Sequence, residues 1–360
     1  MINQGMIPTP DTIPAPWGWF ELLGNLTLVL HFLLMNVILG GMLLLLFTRW
    51  QHEGDPQNAL SGPLLSKLPT AFALTINLGV APLLFMQVLY GHLFYTSTVL
   101  MGVFWILIIP LLMIAYYGAY LQSHQWQRRP LLSKISTVVS ALILLYISFI
   151  YSNVMTHMGQ PELWDAYFQN RGGTLLNLSD PTLIPRYLHF ITAAIAIAAL
   201  FTAILWGISS GKKMLPIANQ NRIRGLRIFA YATMAQFVVG SWFLIAQPTD
   251  IMLLFMGRDP WMTGMLIAGI LPGIIAIVTA MQDRLSLTVI LTLLSMVFMV
   301  ISRALLRNAY TGRFFSLGDL KVVSQYDVMI LFFIVFALGL AAVGYMLKVV
   351  IDTRREGASA

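Results

Sequence analysis

The chain has 360 residues, of which 58% are hydrophobic and only 10% are charged. Soluble domains average about 45–50% apolar and about 25% charged residues, so this composition excludes an ordinary soluble protein and indicates an integral membrane protein. The sequence contains no cysteine, which excludes disulfides, zinc bound by cysteine, iron–sulfur clusters and covalently attached c-type haem.

The sequence predicts an all-α, polytopic membrane helix bundle. Residues 1–17 contain four prolines and no basic residue. They therefore lack the basic start of a cleavable signal peptide, and we expect an extracytoplasmic arm there. Residues 18–350 are predicted to form a single transmembrane helical domain, and 351–360 a cytoplasmic tail. A membrane helix needs about 20 apolar residues. Nine stretches meet this length, namely 19–48, 70–96, 98–121, 134–154, 185–209, 226–246, 262–281, 285–305 and 327–350.

The basic residues predict the orientation of the helices. When the N-terminus is placed outside, 14 of the 21 Lys and Arg residues lie in or beside the inner connections, and nine of the 14 acidic residues lie outside. Cytoplasmic loops carry an excess of basic residues, so this placement is preferred, with the C-terminus inside. The net charge of +7 is then a topology signal and an attraction to the anionic lipid bilayer. We assign it no role in binding nucleic acid.

Histidines within the predicted spans form a layer near the outer face. Counted at 1.5 Å per residue from the inner ends of their spans, His31, His92 and His189 lie at roughly 27, 37 and 34 Å. Met265 joins this layer at roughly 27 Å, and His157 follows the fourth span by three residues. The spans contain no deeply placed Asp or Glu, which is unfavourable for a proton-driven transporter.

Imidazole and thioether side chains in one layer predict noncovalent haem, because both groups bind haem iron and a His/Met pair raises its potential. Haem propionates need cations. Arg186 precedes His189 by three residues, and Arg303 and Arg307 end the eighth span on the same side. Each residue also has a simpler structural interpretation, since a membrane histidine often bonds a neighbouring helix and methionine is often apolar filling.

Four segments resemble subunit I of cytochrome bd oxidases. Residues 30–40 begin Leu-His-Phe-Leu and end in a Gly-containing stretch; residues 77–87 contain Gly-Val-Ala followed by Met-Gln. Residues 180–194 resemble the segment that bears the low-spin haem histidine in that family, and 262–269 resemble the helix that supplies its methionine. The resemblance extends over most of residues 20–315.

The resemblance implies His189 and Met265 as the axial pair of a low-spin haem b. It implies His31 as the axial ligand of a high-spin haem, of b, d or another noncovalent type, with Arg186 and Arg303 neutralising propionates. It also implies more than one haem, and the inner membrane of a prokaryote. The implied partners are further membrane subunits, including a homologous second subunit, and either quinol or a periplasmic cytochrome c.

Three departures from the family pattern change these expectations. Gln87 stands where the family has glutamate, no glutamate precedes Gly312-Arg313, and the segment after the sixth span is short, at 247–260. We therefore expect His92 or His157 to replace the missing carboxylate ligand, and a periplasmic cytochrome c or another membrane subunit to serve as electron partner.

The preferred function is a haem-bearing redox subunit that carries electrons between a quinol or cytochrome c pool and an acceptor, with reduction of O2 left open and no catalytic residue assigned. The alternatives are a polytopic membrane transporter and a structural subunit without cofactor.

Overall fold

The computed structural model describes residues 6–51, 59–210 and 216–359, with the side chains of 49–51, 209–210 and 354–359 excluded. Residues 1–5 of the predicted arm, residue 360 of the predicted tail, and Lys212 and Lys213 of the inner cations lie outside this description. Of the described residues, 84% are helical. The described residues form no β-strand; one isolated bridge joins Ile13 to Val322.

The helices, numbered in chain order, are α1 (Trp17–Gln51), α2 (Gly62–Leu65), α3 (Leu68–Leu100), α4 (Gly102–Gln125), α5 (Pro130–Gly159), α6 (Leu183–Ser210), α7 (Pro216–Ile245), α8 (Thr249–Leu253), α9 (Pro260–Met281), α10 (Leu285–Thr311) and α11 (Tyr326–Ser359). Nine helices in the described ranges are long and apolar enough to cross a membrane, which confirms the predicted all-α polytopic fold. Most are a few residues longer than predicted, because a search for apolar stretches detects only the part of a helix inside the hydrocarbon.

Several long helices begin at proline, which has a fixed φ and lacks the N–H that a first turn leaves unpaired. Pro130 starts α5 and Pro260 starts α9. The carboxylate of Asp259 also caps α9, accepting hydrogen bonds from the backbone N–H groups of Trp261 (2.8 Å) and Met262 (3.0 Å).

α1 is the central helix of the bundle and packs against α3, α5, α6 and α10. Its closest approach to α6 is at Gly40, where an added Cβ would lie 1.9 Å from the carbonyl oxygen of Ala194. Helices α6 and α7 also pack closely at a glycine, because a Cβ added to Gly225 would lie 3.0 Å from the Ala199 carbonyl oxygen. Small residues allow membrane helices to pack at this distance.

The last helix, α11, lies apart from the other eight. Its most apolar 18-residue window buries no residue. Its attachment is at its start, where the backbone N–H groups of Val323 and Gln325 donate to the carbonyls of Ile13 and Pro14 (both 2.9 Å). We call the end of the bundle that carries this pairing the arm side, and the opposite end, where the connections 126–129 and 282–284 lie, the basic side.

Candidate functional site

A cavity of about 350 Å3 extends from the arm side into the middle of the bundle. It is enclosed by α1, α5, α6, α7, α9 and α10, and its volume falls in the usual range for small-molecule and cofactor sites. Most of its wall is apolar, and its polar side chains are most numerous on α10, with fewer on α6 and α7.

Three arginines line the cavity toward the arm side: Arg186, Arg303 and Arg307. Arg307 pairs with Glu21 at 3.7 Å. The other ion pair among the described residues is Arg313–Asp250, outside the cavity, so neither Arg186 nor Arg303 has a direct ion-pair partner there. Arg186 reaches the cavity-lining Asp180 only through the Thr182 hydroxyl.

The contacts of the two unpaired arginines are weak. Arg186 donates to the Thr182 hydroxyl at 3.3 Å and lies over the Phe243 ring at 5.2 Å. Arg303 contacts the sulfur of Met155 at 3.3 Å. Because an unpaired charge inside a protein is costly, this arrangement favours an anionic occupant.

Arg307 belongs to a polar network that links α1, α3 and α10 beside the cavity. Tyr90, at a kink in α3, donates to Asn308 at 2.5 Å, and Asn308 donates to Glu21 at 3.2 Å. The guanidinium of Arg307 lies 4.3 Å from the centre of the Tyr90 ring. This network fixes the position of Arg307 and satisfies its charge, leaving Arg186 and Arg303 as the cations available to a ligand.

His189 faces the same cavity one turn below Arg186 on α6. Its Nε2 lies 3.5 Å from the amide nitrogen of Gln236, and its Nδ1 is buried without a hydrogen-bond partner. The ring lies against Gly240 of α7, where an added Cβ would be 3.1 Å from the imidazole Cε1. The start of α6 is fixed by Asp180, which accepts a 2.6 Å hydrogen bond from the Thr182 N–H.

Two further residues that line the cavity have buried side-chain atoms without a hydrogen-bond partner: the amide oxygen Oδ1 of Asn36 and the hydroxyl of Ser302. Buried polar groups are nearly always hydrogen-bonded, so unpaired ones around a single cavity indicate a site for a polar ligand or ordered water.

The cavity also brings methionines together. Met155 and Met158 of α5 and Met296 and Met299 of α10 line it. Met265, the predicted partner of His189, is half-buried on α9 and does not line the cavity; α9 instead presents the neighbouring Leu266.

His31 lies outside this cavity, against α3. Its Nδ1 is 3.1 Å from the carbonyl oxygen of Thr75, and a Cβ on Gly79 would lie 2.7 Å from its ring. A ring nitrogen held by a backbone carbonyl, with the other left free, is the arrangement common to metal-binding histidines.

His92 and His157 lie in separate surroundings near the arm side. His92 meets the Phe315 ring edge-on at 4.5 Å and has a buried, unpartnered Nε2. His157 bonds the carbonyl of Leu175 at 3.2 Å, and its own carbonyl accepts from Trp164 at 3.0 Å, which ties the connection 160–182 to α5.

The cavity contains side chains of the types that bind haem iron and propionates. In the described part of the chain no three His, Cys, Asp or Glu side chains cluster as a metal site. Haem needs only one or two protein ligands, and here an imidazole, thioethers and unpaired guanidiniums line one cavity.

Sequence reasoning missed Met296, Met299, Gln236 and Asn36. The signal for the two methionines was the spacing on α10, where positions 292, 296, 299, 303 and 307 recur every three or four residues and so share one helix face.

A search against protein-family models and a search of curated proteins each gave no match. The function therefore has to be inferred from the residues and the geometry of the chain itself.

Proposed function

We propose that the protein is a membrane-embedded b-type haem redox subunit, resembling subunit I of cytochrome bd oxidases, with a haem in the cavity beside His189. The observation that supports this most is Arg303, a cation on the cavity wall with no ion-pair partner among the described residues. Haem is an apolar disc with two carboxylates, and Arg186 and Arg303 are placed to bind them.

In this proposal His189 binds the iron, and a methionine of α10, Met296 or Met299, supplies the thioether in place of Met265. Gly240 leaves room beside the imidazole, while the apolar walls exclude water. When bound, haem supplies a one-electron Fe(III)/Fe(II) couple.

The first test is a reduced-minus-oxidised visible spectrum of the purified protein, with a pyridine haemochrome measurement of haem content. His189→Ala and Arg303→Gln should each lower the haem content, whereas His124→Ala should leave it unchanged, because His124 stacks on Tyr120 outside the cavity. Protein without b-type haem would overturn the proposal and favour membrane transport of an anionic solute.

The second test identifies the thioether. Leu substitutions at positions 265, 296 and 299 should have unequal effects, because loss of a Met ligand lowers the midpoint potential. We expect the midpoint potential to fall in Met296→Leu or Met299→Leu. If the midpoint potential falls only in Met265→Leu, the axial pair is His189 and Met265, as expected from the sequence.

We extend the proposal to three further features: a second haem bound by His31, a homologous second subunit, and quinol or cytochrome c as the electron partner. His31→Ala should remove a haem signal distinct from the one lost in His189→Ala. A carbon-monoxide difference spectrum should then show whether either haem has the open position that O2 reduction requires. If His31→Ala leaves every haem signal intact, the second site is wrong.

We also propose the inner membrane of a prokaryote as the location, with the arm side outside. Since the chain has no cysteine, single introduced cysteines can report sidedness. An impermeant maleimide added to intact cells should label Asp165→Cys, on the arm side, and leave Arg129→Cys unlabelled. The reverse pattern would invert the topology.

A further inference from the structure

A second concave surface lies on the outside of the bundle, toward the basic side, and shares no lining residue with the cavity. It is a groove of about 420 Å3 between α1, α6 and α7. Phe47 of α1 (54% exposed) and Tyr231 of α7 (60% exposed) are its most exposed lining residues, and Leu44 of α1 is the most buried.

Its chemistry is apolar within and basic at one end. Apart from the Tyr231 hydroxyl, the lining side chains have no polar group. Arg227, which is exposed, precedes Tyr231 by four residues and so lies on the same face of α7, one turn closer to the basic side.

An occupant of matching chemistry has a long apolar chain and an anionic end at the level of the lipid headgroups. A guanidinium binds phosphate by charge-assisted hydrogen bonds, and basic residues near the membrane surface attract anionic lipids. A quinone ring would instead require hydrogen-bond partners inside the groove, and the lining offers one hydroxyl.

We propose that this groove binds an acyl chain of an anionic phospholipid whose phosphate is held by Arg227. The inference is independent of the haem and of the orientation of the chain.

The test uses the full chain, delipidated in dodecyl maltoside and titrated with dioleoyl phosphatidylglycerol or dioleoyl phosphatidylcholine, with bound lipid counted by native mass spectrometry. Phosphatidylglycerol should bind about five-fold more tightly than phosphatidylcholine, which is the difference typical of one basic residue at a membrane surface. Arg227→Gln should abolish the preference and Arg227→Lys should keep most of it. The control Arg129→Gln removes an exposed cation away from the groove and should change nothing.

The shape of the groove is tested separately. Ala232→Trp, inside the groove, should weaken binding of both lipids, whereas Val238→Trp, on a 72% exposed position of α7 outside it, should not. Equal binding of the two lipids by the unmodified chain overturns the proposal. The proposal is also overturned if Arg227→Gln and Arg129→Gln lose the preference for phosphatidylglycerol to the same extent. A third contrary result would be displacement of phosphatidylglycerol by a short-chain quinone in the unmodified chain but not in Ala232→Trp.

Discussion

Substitution of Gly40 by alanine should separate α1 from α6 and destabilise the bundle. Ordinary contacts of a Cβ begin at 3.4 Å, and the new Cβ would lie 1.9 Å from the Ala194 carbonyl oxygen, so the two backbones must move apart by 3.4 − 1.9 = 1.5 Å. The obstacle is backbone, which has no alternative rotamer. Overpacking of a tight interior typically costs 1–3 kcal/mol, and we expect the upper end, about 3 kcal/mol of the free energy of unfolding.

The matched control is Gly344→Ala in α11, where an added Cβ meets nothing within 4 Å. Alanine is favoured over glycine inside a helix, so this variant should be as stable as the unmodified protein or slightly more so. The free energy of unfolding can be measured by circular dichroism as dodecyl sulfate is added to dodecyl maltoside micelles. If Gly40→Ala unfolds at the same detergent fraction as Gly344→Ala, the close packing of α1 on α6 is refuted.

Three further outcomes are expected. Gly240→Ala should push the His189 imidazole by a few tenths of an ångström and shift the haem spectrum at unchanged protein yield; an unaltered spectrum would remove Gly240 from the site. The Arg313 guanidinium, 2.7 Å from Asp250, holds the pKa of that carboxyl below its ordinary value. The pair therefore stabilises the fold above the ordinary carboxyl pKa, about pH 4, and loses this effect as the pH falls through the lowered pKa of Asp250. In thermal unfolding, Arg313→Gln should be slightly less stable than the unmodified protein at pH 7 and indistinguishable from it once the carboxyl is fully protonated. A chain ending at residue 325 should keep the secondary structure and cavity of the remaining eight spans, judged by circular dichroism and haem content; a collapsed product would show that α11 stabilises the bundle.

The sequence was sufficient to predict the nine spans, because a bilayer imposes a length and an apolar composition that can be counted residue by residue. It also predicted that Arg186 and His189 act together, since a spacing of three places both on one face of a helix. What it left undetermined was rotation about the helix axis. Helices that are apolar on all sides carry no pattern showing which face meets the interior. Met265 was therefore proposed from its depth and from the resemblance of 262–269, neither of which reports the rotation of α9.

The same limit applies to the histidine layer. Residue counting gives height along a helix and says nothing about lateral position, which depends on how the helices pack. His31 and His189 are on neighbouring helices at similar heights, yet one faces α3 and the other faces α7. One layer therefore contains several environments, and only the one at His189 includes unpaired arginines.

The isolation of α11 has a consequence for biogenesis. Chains fold from the N-terminus as they are made, and α11 follows the other eight described spans. The other eight spans, six of which enclose the cavity, can therefore assemble while α11 is still being translated. The N-terminal arm is different, because its partners at 321–325 are made just before that last span. Residues 13 and 14 therefore cannot pair until 321–325 have been synthesised, more than 300 residues later.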